Sequence, residues 1–260
     1  MYRDIRSLPL TGPAVRALTV VLFLGLGVVQ ATFGSDYEQL DELLLQNVQD
    51  GFVNYDGLRA DPRFKEVVQR FASVSPADIQ SENERLAFYI NTYNILSIQS
   101  ILDGYSPANF FGRVRFFKLN KFPVLNEKIN LYDLEHEHII PMDDPRIHFA
   151  IVCASLSCPR LSNRAYTPDE VDYQLHDAAR QFVNDPTRNR FDAARGIAFL
   201  SMIFKWYRPD FEAAGGTLQR YLARFVDDPL AEEALRKDEL EIRYEEYDWS
   251  LNGHLSTEDQ

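Results

Sequence analysis

SENERLAFYINTYNILSIQSIL, Ser81 to Leu102, is the stretch on which the fold turns. Ser81 and Glu84 form the S-x-x-E pattern of a capping box, which satisfies two free N–H groups at a helix start. From Leu86 to Leu102 apolar residues occupy nearly every face, which places the helix inside the molecule. Gly104 and Pro107 end it. Asn91 and Asn94 interrupt the apolar run three residues apart, on one face. A buried amide without partners costs roughly 1–3 kcal/mol. The pair therefore lines a polar cleft or ties loop backbone to the helix, and the residues alone leave both open.

Upstream, DYEQLDELLLQNVQD from Asp36 has leucines at 40, 43, 44 and 45 and acids at its start, an amphipathic helix. GFVNYDGLRADP breaks it, and Arg63 to Ser73 is helical again. Downstream, Val114 to Asn130 reads as β structure with a hairpin tip at Asn126-Glu127. Leu131 to Ile140 is a short helix. Ile147 to Val152, after Pro145, reads as a buried strand. Thr167 to Glu170 open a helix that reaches Asn184 and stops before Pro186. Arg190 to Phe199 is a second hairpin, SMIFKWYRPDF a helical turn halted by Pro209, and Leu240 to Glu246 alternates as a strand. Helices at 217–225 and 230–237 complete the pattern, and the polar tail after Gly253 is expected to be flexible. Short strands among more numerous helices predict a single α+β domain over residues 36–252. Its helices pack around a small, mostly antiparallel sheet and a central buried helix at 84–102.

Arg3, Arg6 and Arg16 precede an uncharged run from Ala17 to Val29, shorter than the roughly 20 residues of a membrane span. Val29-Gln30-Ala31 supplies small residues at a cleavage site, with Gly34 a second candidate, so residues 1–31 read as a signal peptide and the protein as exported, periplasmic or secreted; an uncleaved N-terminal anchor is the alternative reading. The full chain carries 27 basic and 39 acidic residues. An acidic chain is repelled by phosphate backbones and anionic lipid, which excludes nucleic acid as a partner class. No later run is apolar enough to cross a bilayer. With 13 Tyr and 18 Phe, a substantial core is available.

IHFAIVCASLSC, Ile147 to Cys158, holds both cysteines and one of five histidines. Five residues fully extended span roughly 17 Å, whereas disulfide Cα atoms lie about 4.4–6.8 Å apart. Pairing Cys153 with Cys158 therefore needs a turn through Ala154-Ser155-Leu156-Ser157, which small and hydroxyl residues permit. A reactive thiol is the second reading. Zinc is the third, with His136 and His148 as further ligands, although no ligand spacing supports it. Strand alternation would put His148 and Cys153 on opposite faces. His136 has Glu135 beside it and Asp133 one turn earlier, either of which could orient an imidazole for proton transfer.

LAFYINTYN, LYDLEHEHI, DPRIHFAIVCASLSCPRL, FLSMIFKWYRPDF and YDWSLN, in this order and spacing, resemble the bacterial form of the domain-of-unknown-function-547 family, and VNYDGLRADP fits too. The resemblance runs from Phe52 to Asn252. It implies a frequently exported domain without an assigned activity, and its motifs fall on Asn91, Tyr93, Asn94, Glu135, His136, His148, Cys153, Ser155, Cys158 and Pro159. Pro141 stands where the family usually has a basic residue. A transglutaminase-like triad is absent, since no cysteine opens the central helix. No cofactor is implied. The resemblance and the residues together predict a periplasmic binding or assembly module for a small molecule, peptide or protein. The alternatives are a hydrolase or transferase using a Cys or His, and a structural domain whose polar motifs tie its own loops. The expected site is one cleft joining the Cys153–Cys158 loop, His136 and the Asn91/Asn94 face. His148 lies beside it, and Tyr93, Glu135 and Ser155 serve as binding residues. Trp206 and Trp249 are expected in the core.

The exported product should begin close to Thr32. Intact mass or N-terminal sequencing of protein recovered after export checks this, and a product retaining Arg3 through Val29 refutes it.

Overall fold

The computed structural model describes residues 27–256, so positions 1–26 of the expected leader and the last four residues lie outside the description. The central helix spans Glu82–Leu102. Ser81 Oγ accepts from the Glu84 N–H at 3.1 Å, and Glu84 Oε2 accepts from the N–H groups of Ser81 and Gln80 at 2.8 and 2.7 Å. The capping box thus forms as the sequence requires, and residues Leu86 to Ile98 are all buried. The helices Gly27–Asn47 and Pro62–Ser73 cover one side, with Phe71 stacked on Phe88 at 5.9 Å. A second apolar cluster gathers around Phe149, whose ring meets Phe182, Phe204 and Phe211 at 5.1–5.7 Å.

The two amides on the central helix determine how the chain beyond it is held. Asn91 Nδ2 donates to the Tyr166 carbonyl at 2.7 Å and its Oδ1 accepts from the Tyr166 N–H at 3.0 Å. Asn94 Nδ2 donates to the Ala150 carbonyl at 2.9 Å, and its Oδ1 accepts from the Val152 N–H at 2.8 Å. Each carboxamide offers a donor and an acceptor side by side, as a neighbouring strand would, and so takes the place of a strand. The loop-tying reading of these residues is the correct one.

The same bonds explain why Ile147–Val152 is not the predicted strand. Asp144 caps a short 3-10 helix over Pro145–Phe149, with its side chain accepting from the Arg146 N–H at 3.0 Å. The chain then passes the Asn94 side chain without joining a sheet. Every residue from Ile147 to Val152 is buried, so no alternation existed to separate strand from helix.

Other elements also depart from expectation. Val114 to Leu119 is helical: Phe110–Val114 runs into a π-helical turn at Arg115–Leu119. The hairpin is confined to Phe122–Val124 and Glu127–Ile129, and its tip is Leu125-Asn126, both left-handed at φ 47° and 69°. After a short turn at Leu131–Asp133, Leu134–Ile139 forms a second π-helical turn. The helix expected from Thr167 starts at Val171 and ends at Val183, because Gln174 Oε1 takes up the Thr167 N–H at 3.0 Å. Pro209 opens a helix rather than halting one. It lies in the first turn of Arg208–Gly215, and Tyr207 forms the break after Ile203–Trp206.

Among the described residues the strands form three small sheets, mostly antiparallel. Ile197–Leu200 pairs antiparallel with Arg190–Asp192 and parallel with Glu241–Tyr244. Phe52–Asn54 pairs antiparallel with Val48–Gln49 and parallel with Gly253–His254. The segment expected as a flexible tail therefore begins as a strand. A Cβ on Gly253 would lie 2.2 Å from the Val53 carbonyl oxygen, so only glycine permits this approach. The architecture is a single-domain α+β fold built on a central helix.

Asn94→Ala leaves the Ala150 carbonyl and the Val152 N–H without partners, and Asn91→Ala does the same at Tyr166. Each variant should lose roughly 2–4 kcal/mol in urea denaturation, from two orphaned buried groups. Wild-type stability in either variant would remove the amide from this role.

Candidate functional site

A cavity of about 350 Å³ opens where the two π-helical turns, the segment after Phe149 and the C-terminal segment meet. Phe117 and Lys118 come from the first π turn and Glu135 from the second. Ile151, Cys153 and Cys158 form the wall below the Asn94 clamp. Trp206 and Tyr207 arrive from the helix break, and Tyr247 and Trp249 from the C-terminal segment. π turns recur at functional sites because they displace side chains from the regular helical face.

Glu135 is 5% exposed. Tyr207 donates its hydroxyl to Glu135 Oε1, and Tyr93 donates to Oε2 at 3.3 Å. Burial, and after it the nearby Glu135 carboxylate, pushes both phenols well above the ordinary tyrosine range, so they remain donors. No Lys, Arg or His among the described residues forms an ion pair with Glu135. Arg113 and Lys118 line the same cavity but lie on aromatic rings, Arg113 4.6 Å from the Trp249 centroid and Lys118 3.9 Å from that of Tyr132.

His148 lies on the cavity wall with its side chain buried. Tyr207 stacks on its ring at 3.8 Å and Phe211 meets it edge-on at 5.4 Å. Nε2 contacts Asp210 Oδ2 at 2.8 Å, while Nδ1 is buried without a hydrogen-bond partner. With the ring hydrogen on Nε2 facing the carboxylate, Nδ1 keeps a lone pair.

Cys153 and Cys158 form a disulfide with Cα atoms 6.2 Å apart. The zinc and free-thiol readings therefore do not hold for these sulfurs as they stand. Closing so short a loop restrains the unfolded chain by only about 2 kcal/mol. Backbone pairing supplies more of the order. Leu156 N–H donates to Ser250 O at 2.8 Å and Asn252 N–H to Ala154 O at 3.0 Å, which lays the C-terminal segment along the disulfide loop. Arg188 adds bonds to the Cys158 and Leu156 carbonyls, both at 2.9 Å.

Five of the nine predicted site residues line one cavity: Tyr93, Glu135, His148, Cys153 and Cys158. Ser155 is buried behind it, its Oγ 3.5 Å from Cys153 Sγ. His136 does not join them. It is exposed, stacked on Tyr132 at 3.9 Å, with Nδ1 2.9 Å from the Tyr132 carbonyl. Neighbouring positions on a helical turn point about 100° apart, so with Glu135 inward His136 faces out. Trp206 is 44% exposed and Trp249 half-buried, so neither is a core residue. They form the cavity mouth with Tyr247, at centroid distances of 4.5–5.9 Å. Tyr207, Asp210, Tyr247 and Arg113 were missed, although three of them stand within the FLSMIFKWYRPDF and YDWSLN motifs. A wider groove of about 790 Å³ lies along Asp41, Arg164 and Asp185, where Asp41 pairs with Arg164 and Asp185 with Arg160 and Arg188; Glu38, Asp50, Asp169, Glu170 and Asp177 also line it, which makes it predominantly acidic.

Residues 77–183 match the family model described as "Protein of unknown function, DUF547", which supports the resemblance to that family over this stretch. The match contains Glu135, His148 and the disulfide, while Tyr207, Asp210 and Tyr247 lie beyond it. No curated protein and no solved structure matches the chain significantly.

Tyr55, Tyr93, Tyr166, Tyr207, Tyr221 and Tyr247 are all shifted upward, chiefly by burial. In the unfolded chain such phenols ionise near pH 10. Their folded values are higher, so this contribution to stability is intact below about pH 10 and is lost as pH rises toward the folded values. An absorbance titration at the phenolate band should show the exposed tyrosines ionising first and the buried set only with cooperative unfolding. Reversible ionisation of all 13 tyrosines in one step near pH 10 would contradict this.

Proposed function

We propose that this chain is an exported binding module whose cavity takes a small organic cation. The observation that carries the reading is Glu135, a buried carboxylate with two phenol donors and no cation in ion-pair contact among the described residues. Removing a carboxylate from water costs several kcal/mol, and neutral hydroxyls offset only part of that. Buried carboxylates are normally matched by a positive charge, and here a ligand would supply it. The aromatic faces of Trp206 and Tyr247 suit the same charge, since a ring face attracts an ammonium group, as Trp249 already holds the Arg113 guanidinium. The chain's net charge of −12 raises the local concentration of cations. Arg113 and Lys118 on the same wall favour ligands that also carry a carboxylate, such as an amino acid or a peptide end. Export fits the leader pattern at residues 1–31 and a disulfide-bonded wall.

A hydrolase or transferase is the second reading, favoured by one observation. His148 has the arrangement of an oriented base, with Asp210 on Nε2 and an unpartnered Nδ1. Turnover lost in Asp210→Asn with ligand affinity retained would favour it.

Calorimetric titration with glycine betaine, tetramethylammonium and a neutral tert-butyl isostere tests the binding reading. Both quaternary ammonium ligands, the zwitterionic betaine and the tetramethylammonium cation, should bind at least about tenfold tighter than the isostere, and Glu135→Gln should abolish the difference; an unpaired buried charge typically accounts for that much. Equal binding of cation and isostere, or no binding of any of the three, overturns the reading.

A further inference from the structure

The Cys153–Cys158 bond lies on a cavity wall, and its two sulfurs have different surroundings. Cys153 is half-buried, whereas Cys158 is 3% exposed. Cys158 Sγ accepts the Cys153 N–H at 3.0 Å and the Tyr247 hydroxyl at 3.1 Å; that hydroxyl also lies 3.3 Å from Cys153 Sγ, so the Cys153 N–H is the donor that only Cys158 has. The Arg188 guanidinium is bonded to the Cys158 carbonyl. These groups would favour negative charge on Cys158. Ala154, between the sulfurs, has φ 61°, a left-handed conformation that L residues avoid and that accumulates at functional sites.

We propose that this disulfide is a thiol–disulfide exchange site, attacked at Cys153 by small-molecule thiols entering the cavity. The inference goes beyond cation binding and stands without it. A thiolate RS⁻ forms a new S–S bond to Cys153 Sγ as the Sγ–Sγ bond breaks, and the bonding pair leaves on Cys158 as a thiolate. The Cys153 N–H and the Tyr247 hydroxyl receive that charge. A second RS⁻ then attacks the outer sulfur of the mixed disulfide. It releases RSSR and leaves Cys153 as a thiolate, so two thiols are oxidised and one protein disulfide is reduced. The fold survives the step, because the loop stays paired to the C-terminal segment through the Leu156–Ser250 and Asn252–Ala154 hydrogen bonds.

The test uses the whole folded chain and reduced glutathione, with N-ethylmaleimide quenching, peptide mapping and circular dichroism at each time point. Glutathione should appear on Cys153 and the maleimide adduct on Cys158, with the folded spectrum retained. Tyr247→Phe should slow formation of the mixed disulfide by about tenfold, the effect of one hydrogen bond to a developing charge. Cys158→Ser should accumulate a stable glutathione adduct at Cys153 when given oxidised glutathione. If that variant fails to fold, the wild-type adduct map alone decides the site of attack. A bond that reduces only after denaturation, glutathione mapped to Cys158, or an unchanged rate in Tyr247→Phe overturns the proposal.

Discussion

Carboxamide side chains standing in for missing strands are the constraint on which this structure depends. The sheets are small, and long stretches of buried backbone have no ladder to join. Backbone N–H and C=O groups cannot be buried unpaired without heavy cost. Asn91 and Asn94 resolve this for Tyr166 and for Ala150–Val152. The device recurs: Asn189 bridges the Phe182 carbonyl and the Ser201 N–H, and Gln219 takes both the Leu240 carbonyl and its N–H. The central helix is therefore a template for irregular chain as well as an apolar core. Its hydrophobic residues hold its neighbours, and its two amides fix where the segment from residue 150 to 166 runs.

The cavity follows from that arrangement. A chain tied to a helix through side chains is free to turn sharply, and at Cys153 it does, where a strand in a sheet would continue. The turn exposes one edge of the disulfide loop, which the C-terminal segment covers through backbone pairing and an isolated bridge between Ser155 and Leu251. Tyr247 and Trp249 are thereby placed across from Glu135 and His148. Residues nearly a hundred positions apart in the chain meet because one loop cannot satisfy its own hydrogen bonds.

The central helix was legible, since a capping box followed by all-round apolarity admits few other readings. The buried amides were legible as a problem, and the choice between loop-tying and ligand-binding required knowing which backbone lay opposite. The strand expected at Ile147–Val152 failed for a related reason: a run buried on all sides has no period, and its hydrogen-bond partner was a side chain. His136 and Glu135 are adjacent, and only packing decided which turned inward. Trp206 and Trp249 read as core because large aromatics usually are. A cavity mouth uses the same residues for the same surface energy.

Satisfied and unsatisfied polar groups divide along functional lines. The structural amides spend both ends of their carboxamides, as described above for Asn91 and Asn94. Glu135 and His148, on one cavity wall, differ: Glu135 has both oxygens hydrogen-bonded but no ion-pair partner among the described residues, and His148 has a buried nitrogen without a partner. Other buried hydroxyls are also unpartnered, those of Thr92, Ser97, Tyr221 and Tyr244 among them, but they are uncharged and lie off the cavity. A carboxylate without a counter-charge costs far more than a hydroxyl without a partner. Folding alone would favour replacing such a carboxylate with an apolar residue of similar size. Two tyrosines instead hold Glu135 in place as hydrogen-bond acceptor, and one of them, Tyr207, also stacks on His148. Tyr207 therefore touches both incomplete groups, Glu135 through its hydroxyl and His148 through its ring.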